Sequence, residues 1–453
     1  METQILEEID EHKNEYIEFL QEIIQTNSYN PPGNEKDVAV KLKHYFDRFN
    51  IENELFPVEN NRANFIASLQ PDYTGETLLY TGHMDVVPPG EEDDWKYPPL
   101  SAYIKRNKYL YGRGTSDMKG ALVAMSVALK ILKSLDLETD RNLAFLAVSD
   151  EETLGVVGTK WSIENILKKH SIDCKFAIVG ECTELPPLPK ALIIGEKGHI
   201  TIKVITHGIE CHSSIPFEGK NAIYMMSDII QNIPKLNNYI KNVAPPMTMD
   251  ELKENVSKIF PNKEIFNRIF NEQPRLQNFL KALNTFTKNL NIIEGGVKDN
   301  VIPGKCEAIM DFRTFPGIDA AMILDGLTQV ITKDCNYPVK KEHKKESDEI
   351  YVTLELIHEL EASYWSGWES SDRLKTLKSY TKKVYGRTPF YSLFPAATDA
   401  RYLRNSGYCP QTVVFGPGDG SMPHAVDEYI EIEDFINAIK VYALFGYNFL
   451  TSK

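Results

Sequence analysis

The sequence predicts an α/β fold: a mixed, mostly parallel sheet flanked by helices, with a smaller α+β block inserted into it. Three observations carry this. Short apolar runs alternate with helix-period segments up to about residue 195, as strands joined by crossover helices do. Near 195 the texture changes to in-and-out alternation, which suits a sheet with one solvated face. From about 368 the first texture returns. The chain has 453 residues, and at roughly 150 residues per domain the expectation is two or three domains. The expected division is 1–196 and 368–453 as two parts of one larger domain, with 197–367 inserted between them.

The elements follow in order. Ile5, Ile9, Tyr16, Phe19, Leu20, Ile23 and Ile24 have helical spacing, so 5–25 reads as a helix that ends at the turn Asn30-Pro31-Pro32-Gly33. A second helix covers about 35–49. Short β-rich runs sit at 51–56, 63–69 and 77–82. Met118 to Leu135 reads as a long apolar helix. Leu143 to Val148 is continuously apolar, like a buried parallel strand. Residues 156–168 look helical, and Phe176 to Val179 is another short buried strand. In the inserted block, 199–206 alternates, 220–233 looks helical, and 245–290 has mixed helical character. Strands are expected at 291–302 and 306–315, a helix at about 318–333, and a charged strand region around 338–357. After 368 come a helix to about 385, a strand from Thr412 to Phe415, and a last helix from about 431.

Hydrophobic residues are 42% and charged residues 25%, which excludes wholesale disorder. Acidic residues number 64 against 50 basic ones, for a net charge of -14. A nucleic-acid binder needs a basic footprint, so no nucleic-acid partner is expected. The acidic balance suits an enzyme that gathers carboxylates around cations. Glu2, Glu7, Glu8, Asp10 and Glu11 interrupt the N-terminus, which has no signal-peptide pattern. No stretch approaches the ~18 consecutive apolar residues of a membrane span. The expectation is a cytoplasmic protein without membrane contact. Cys174, Cys182, Cys211, Cys306, Cys335 and Cys409 are scattered, with no paired spacing, and read as reduced thiols.

Five chemical features each follow an expected strand. They are His83-Met84-Asp85; Gly112-Arg113-Gly114-Thr115-Ser116-Asp117-Met118-Lys119-Gly120; Ser149-Asp150-Glu151-Glu152; Gly180-Glu181; and Gly416-Pro417-Gly418 followed by His424. In open α/β sheets the ligand crevice lies at the carboxyl ends of the strands. Two histidines and several carboxylates therefore converge on one rim. Zinc takes imidazole nitrogen and carboxylate oxygen, and a pair of metals needs a bridging ligand. Asp117, central in a glycine-rich loop, is the natural bridge. Asp85, two residues after His83, is placed to accept the second ring N–H of that histidine. Glu151 and Glu152 are adjacent, so in extended chain one ligates while the other faces substrate as a general base. Singly, each signal has a bland reading. A strand-end histidine is usually packed or solvated, a Glu-Glu pair often starts a helix, and a glycine loop before a helix can cradle phosphate. The loop here lacks the Gly-Lys-Ser/Thr ending of a P-loop. The five together, in this order, are specific.

At this point the chain resembles a known family. It looks like the di-zinc amidohydrolases and metallopeptidases that include acetylornithine deacetylase, succinyl-diaminopimelate desuccinylase, aminoacylase, glutamate carboxypeptidase and carnosinase-type dipeptidases. The resemblance spans about residues 8–450 and rests on His-x-Asp, Gly-x-x-Asp-Met-Lys-Gly, Glu-Glu, and the late Gly-Pro-Gly with His. It implies a zinc-peptidase-like catalytic domain with an inserted lid and dimerisation domain. It implies two Zn²⁺, with Co²⁺ or Mn²⁺ as substitutes. His83, Asp117 and Glu181 would hold one, and Asp117, Glu152 and His424 the other. Glu151 would be the general base and Asp85 would orient His83. A cis peptide is implied at Asp117-Met118. Glutamate at position 181 leans toward deacylases and carboxypeptidases.

The inserted block resembles the family's lid through His212-Ser213-Ser214, Pro216, Asn300-Val301-Ile302-Pro303 and Asp311-Phe312-Arg313. On that resemblance His212 would reach a neighbouring subunit's site and hold the oxyanion, which requires a homodimer. Arg313 would clamp a substrate carboxylate, with Asn300 and Thr398 also at the substrate. Asp399 belongs to the same late motif as Thr398. Departures are Cys182 where proline is common, Ile209-Glu210-Cys211 before His212, Asp427 in place of asparagine, and the extra 245–290 segment, which lengthens either the lid or the dimer contact. The function implied is hydrolysis of an N-acyl amino acid, acetylornithine- or succinyl-diaminopimelate-like, by metal-activated water. The alternatives are a carboxypeptidase or dipeptidase acting on short peptides, a silent homologue that binds amino-acid derivatives, and a largely structural subunit.

Overall fold

Seven successive buried residues form the strand Asn142–Val148, which can be covered on both faces only if it lies inside a sheet with helices on either side. The computed structural model describes residues 1–70, 72, 74–186, 188–240, 244–341 and 349–452. In it this strand belongs to a nine-stranded sheet. The order is Glu52–Pro57, Ala63–Ser68, Asn142–Val148, Glu76–His83, Asp173–Val179, Thr412–Val414, Ala191–Glu196 and Ser363–Tyr364, with Phe390–Phe394 also paired to Ala191–Glu196. The four strands from Asn142–Val148 to Thr412–Val414 run parallel. Antiparallel strands flank them. The helices Gly120–Ser134 and Ile432–Thr451 are apolar almost all round and pack into this core.

A five-stranded sheet follows the order Thr287–Gly295, Lys305–Thr314, Gly198–His207, Tyr351–Leu360, Val339–Lys340. Ile200, Ile202 and Val204 meet Met225, Ile229, Ile323 and Leu327 of the helices Ala222–Asn232 and Ala320–Gln329 in a second core. Two chain segments join the sheets side by side: Ser363 pairs with Glu196 on one side of the junction and Leu360 with His199 on the other.

Several elements differ from the sequence reading. Residues 5–25 form two helices, Glu2–Glu11 and Lys13–Gln25, broken at His12, whose ring lies 2.9 Å from Glu15 Oε1. The 156–168 segment makes wide turns at Val156–Lys160 and Ile163–Leu167. Gly158 lies against the Ser149 carbonyl, where a Cβ would stand 1.8 Å away, and regular helix is interrupted there. The strand expected over 291–302 is two, Thr287–Gly295 and Val301–Ile302. The alternating 199–206 run has little solvated face: only His199 and Lys203 are partly exposed, because Lys203 pairs with Glu307 and Thr201 lies beneath His199 and His358. Of the charged region around 338–357, residues 342–348 lie outside the described residues. Ala191–Glu196, Phe390–Phe394 and a small sheet of Tyr103–Lys105, Tyr109–Tyr111 and Tyr429–Glu431 were not expected.

The extra segment forms the helices Met249–Ser257, Lys263–Glu272 and Pro274–Leu283. Their Leu252, Val256, Phe266, Leu276, Leu280 and Leu283 are buried in the larger core, not in the second one. Lys197, at the junction of the sheets, donates to the carbonyls of Ala282 (3.0 Å) and Thr285 (2.5 Å). Among the described residues no helix is long and apolar enough to cross a membrane.

Candidate metal centre

Parallel pairing makes four strands end at one edge, and each delivers a donor segment there. His83 is the last residue of Glu76–His83 and is fully buried. Glu151 and Glu152 follow Asn142–Val148, and Glu181 follows Asp173–Val179. His424 comes ten residues after Thr412–Val414. Asp117 lies in the loop before Gly120–Ser134, and its peptide with Met118 is cis. Glycine is required where these segments meet. Gly114 has φ +87°. Gly416 passes the carbonyls of Gly180 and Glu181, which a Cβ would approach to 2.2 and 2.6 Å.

His83 Nε2 lies 3.1 Å from Asp117 Oδ1 and 3.5 Å from Glu181 Oε1. His424 Nε2 lies 3.0 Å from Glu152 Oε2 and 3.5 Å from Asp117 Oδ2. The donor atoms thus form two groups, His83, Asp117, Glu181 and Asp117, Glu152, His424, each within 4.8 Å. Asp117 offers one oxygen to each. Glu151 belongs to neither group but lies within the electrostatic reach of His83, Glu181 and Glu152. These are the same residues that the motifs singled out.

The enclosure is rich in negative charge. Burial pushes the Glu151 carboxyl well above the usual range; His83 opposes this, while Glu181, Asp399 and Glu152 add to it. Burial also raises Glu152 well above its usual value, and raises Glu181 to about 7, with Asp117 contributing to both. Divalent cations would supply the compensation that these carboxylates lack. The tautomer fits as well. His83 Nδ1 lies 2.9 Å from the Asp85 carbonyl, which can only accept, so Nδ1 carries a proton and Nε2 is the atom that would ligate an ion held with Asp117 and Glu181. Oxygen and imidazole donors in two groups sharing one carboxylate suit a pair of first-row divalent ions.

The backbone around the donors is pinned by buried charges. Asp85 differs from expectation here: its carbonyl, not its carboxylate, makes the short contact to His83, the carboxylate Oδ1 standing 3.6 Å away. The carboxylate instead accepts the N–H groups of Glu151 (3.2 Å) and Glu152 (3.1 Å) and the amide of Asn30 (2.8 Å). It orients the Glu-Glu turn, because those N–H groups have no strand partner past Val148. Asp150 accepts from Val156 and Val157 and is bound by Arg62, which also holds Glu35. Lys190 and Asp434 brace the Gly416–Gly418 turn. Glu428 accepts three N–H groups of the Asp117 loop. None of Glu35, Arg62, Asp150, Lys190, Glu428 and Asp434 was singled out from sequence for its role. Glu428 carried the nearest signal, four residues after His424.

The remaining expected site residues lie elsewhere. His212 is exposed on the short strand Cys211–His212, paired to Val301, with its ring bonded to Ser214 (2.7 Å). Asn300 is its neighbour, its carbonyl accepting from Ser213. Arg313 is half-buried near the end of Lys305–Thr314 and donates to Asp311 (3.2 Å). Thr398 is buried, and both its N–H (2.8 Å) and hydroxyl (2.6 Å) donate to Glu196. Its neighbour Asp399 has neither carboxylate oxygen hydrogen-bonded. Asp399 sits beneath Gly155, where a Cβ would stand 2.9 Å from Oδ1. Cys182 is buried and Cys211 partly so, and neither joins a donor group among the described residues.

The sequence profile of Peptidase family M20/M25/M40 matches residues 79–448. A probable succinyl-diaminopimelate desuccinylase of Staphylococcus aureus (strain MRSA252) is 28% identical over 442 residues, 97% of this chain and 98% of that protein. The succinyl-diaminopimelate desuccinylase of Blochmanniella floridana is 31% identical over 62% of this chain and 75% of its own length. In fold, the chain is similar to an M20 family metallo-carboxypeptidase from Sulfolobus solfataricus, with a TM-score of 0.74 at 22% identity, covering 95% of this chain and 98% of that one.

Proposed function

The chain belongs to Peptidase family M20/M25/M40, and from that premise we propose that it is a two-metal amide hydrolase acting on N-acyl amino acids. One observation carries the reading: two donor groups share Asp117, with Glu151 beside them and in neither. We assign His83, Asp117 and Glu181 to one ion and Asp117, Glu152 and His424 to the other. Zinc is the ion proposed, with Co²⁺ or Mn²⁺ as substitutes. Ions held there would polarise the scissile carbonyl and acidify the attacking water.

The chain's own residues do the rest. Glu151 takes the proton of the attacking water at a carboxylate oxygen and delivers it to the leaving nitrogen. Asp85 fixes the base by holding two successive N–H groups. Arg313 leaves Asp311 to clamp a substrate carboxylate through its planar fork. His212 and Asn300 act on the partner subunit's site in a homodimer formed through the lid. The exposed apolar residues Tyr224, Ile292, Ile293 and Val297 of this block support that assembly. Residues 1–196 with 368–453 are the proposed catalytic domain and 197–367 the inserted block, whose five-stranded sheet is the proposed lid and whose helices between 249 and 283 pack against the catalytic core. A cytoplasmic location is part of the proposal.

The desuccinylase-like relative matched along nearly the whole chain supports an N-acyl substrate. The test is a metal-replete hydrolysis screen of N-acetyl-, N-succinyl- and N-formyl-amino acids beside dipeptides, with metal content assayed on the same sample. Cleavage of one acyl series is expected. Cleavage of dipeptides alone would move the enzyme to the peptidase side of the family.

A further inference from the structure

Arg113 and Glu428 are 315 residues apart in sequence, yet Arg113 Nη1 lies 2.8 Å from Glu428 Oε2. Arg113 is 2% exposed and Glu428 0%. Burying such a pair costs desolvation that the mutual attraction only partly offsets, so stability alone is a poor reason for it. What the two groups hold is more informative. Glu428 Oε1 accepts the N–H groups of Ser116 (2.8 Å) and Asp117 (3.1 Å), and Oε2 accepts that of Gly114 (3.0 Å). Arg113 Nη1 also donates to the Ala425 carbonyl (3.1 Å), and Nη2 to the His424 carbonyl (3.4 Å). Its guanidinium faces the Trp95 ring at 5.0 Å. The segment that carries His424 thus fixes the backbone of Asp117. The loop that carries Asp117 fixes the backbone of His424.

The two imidazoles differ in how much outside support they need. His83 ends a central strand and has its ring tied to the Asp85 carbonyl. His424 has φ +63°, a side chain 56% exposed, and lies between Val414 and Tyr429, where the chain has no helix or strand. We propose that Arg113 and Glu428 form a reciprocal clasp that sets the metal affinity of the Asp117, Glu152, His424 position more than that of the His83, Asp117, Glu181 position, which shares Asp117 but has its histidine held by Asp85. They are positioning residues, and the proposal rests on the metal-centre reading above. The fork of arginine is needed because it serves Glu428 and two carbonyls at once, which a single ammonium cannot do in this geometry.

The experiment titrates the metal-free chain with Zn²⁺ by calorimetry and with Co²⁺ by visible absorption. It compares wild type with Arg113→Lys, Arg113→Met, Glu428→Gln and the Arg113→Met/Glu428→Gln double variant. Outer partners of metal ligands typically govern affinity by about 10–100-fold. One of the two binding events should weaken on that scale and the other by clearly less. The double variant should lose no more than the worse single, because the clasp acts as one unit. Equal weakening of both events, additive losses, or unchanged affinities with only a lower melting temperature of the metal-free chain would each overturn the proposal. Arg113→Lys keeps the charge beside Glu428 and carries the test should the neutral variants not fold. A wild-type chain that takes up fewer than two ions overturns the clasp and the metal centre together. Two ions bound without hydrolysis overturns the substrate reading alone.

Discussion

Glu151 hangs from a turn whose amides are held by Asp85, and that turn remains when the carboxylate is replaced by an amide. Glu151→Gln should therefore keep two ions, measured by metal analysis, while kcat falls on the order of 10²–10⁴-fold. Asp117→Ala should lose both ions, since each group draws one of its oxygens. Asp399 gives a prediction of a different kind. Burial raises its carboxyl to about 6 from the ordinary 3.8, with Arg401 opposing. An acid whose folded value is raised destabilises the fold once ionised. The penalty is absent below about 4, grows as pH rises toward 6, and is complete above it. Asp399→Asn should unfold later than wild type at neutral pH, by on the order of 1–3 kcal/mol, and match it near pH 4. Denaturant titrations of the metal-free proteins at both pH values decide this, and a difference that persists at pH 4 would sink the argument.

At the scale of elements, the Glu-Glu pair and Glu181 were legible because each follows a continuous apolar run, while His83, Asp117 and His424 were legible from their motifs. The residues that hold the donors were not. Glu428, Arg62 and Lys190 bond to backbone groups or charges far along the chain, and no local spacing announces such a partner. The short tyrosine-rich strands at 103–105 and 109–111 gave no apolar alternation to read. The 245–290 segment was legible as helical but not as to what it covers, because an apolar helix face carries no address. The structure gives that face to the larger core, and Leu280, fully buried there, offers the test. Leu280→Ala should cost about 2–5 kcal/mol. The loss should appear in the main unfolding transition, followed by aromatic fluorescence, not in an early separate one. An early transition would mean that these helices belong energetically to the lid.

For the whole molecule, bound ions should stabilise the fold by mass action, by about 2.7–4 kcal/mol at 100–1,000 times the dissociation constant. Chelation should lower the melting temperature, and added Zn²⁺ should restore it. The proposed dimer is equally open to measurement. Ile293→Lys places a charge at an exposed apolar position of the edge strand Thr287–Gly295. The variant should sediment as a monomer, keep its metal, and lose activity because the partner's histidine is withdrawn. An active monomer would remove His212 from the mechanism.

The strand Thr412–Val414 lies in the sheet between Asp173–Val179 and Ala191–Glu196, which are neighbours in sequence. A ribosome therefore makes both walls of this slot more than two hundred residues before it makes the strand that fills it. Until then the nascent chain carries two open sheet edges, the kind of surface that recruits foreign strands. It also lacks the histidine that arrives ten residues later. Synthesis of the segment from Thr412 to His424 closes the sheet and completes the donor set together. A fragment cut at the end of the inserted block would be a sticky, metal-poor species, and a chaperone that shields it has a defined place to bind.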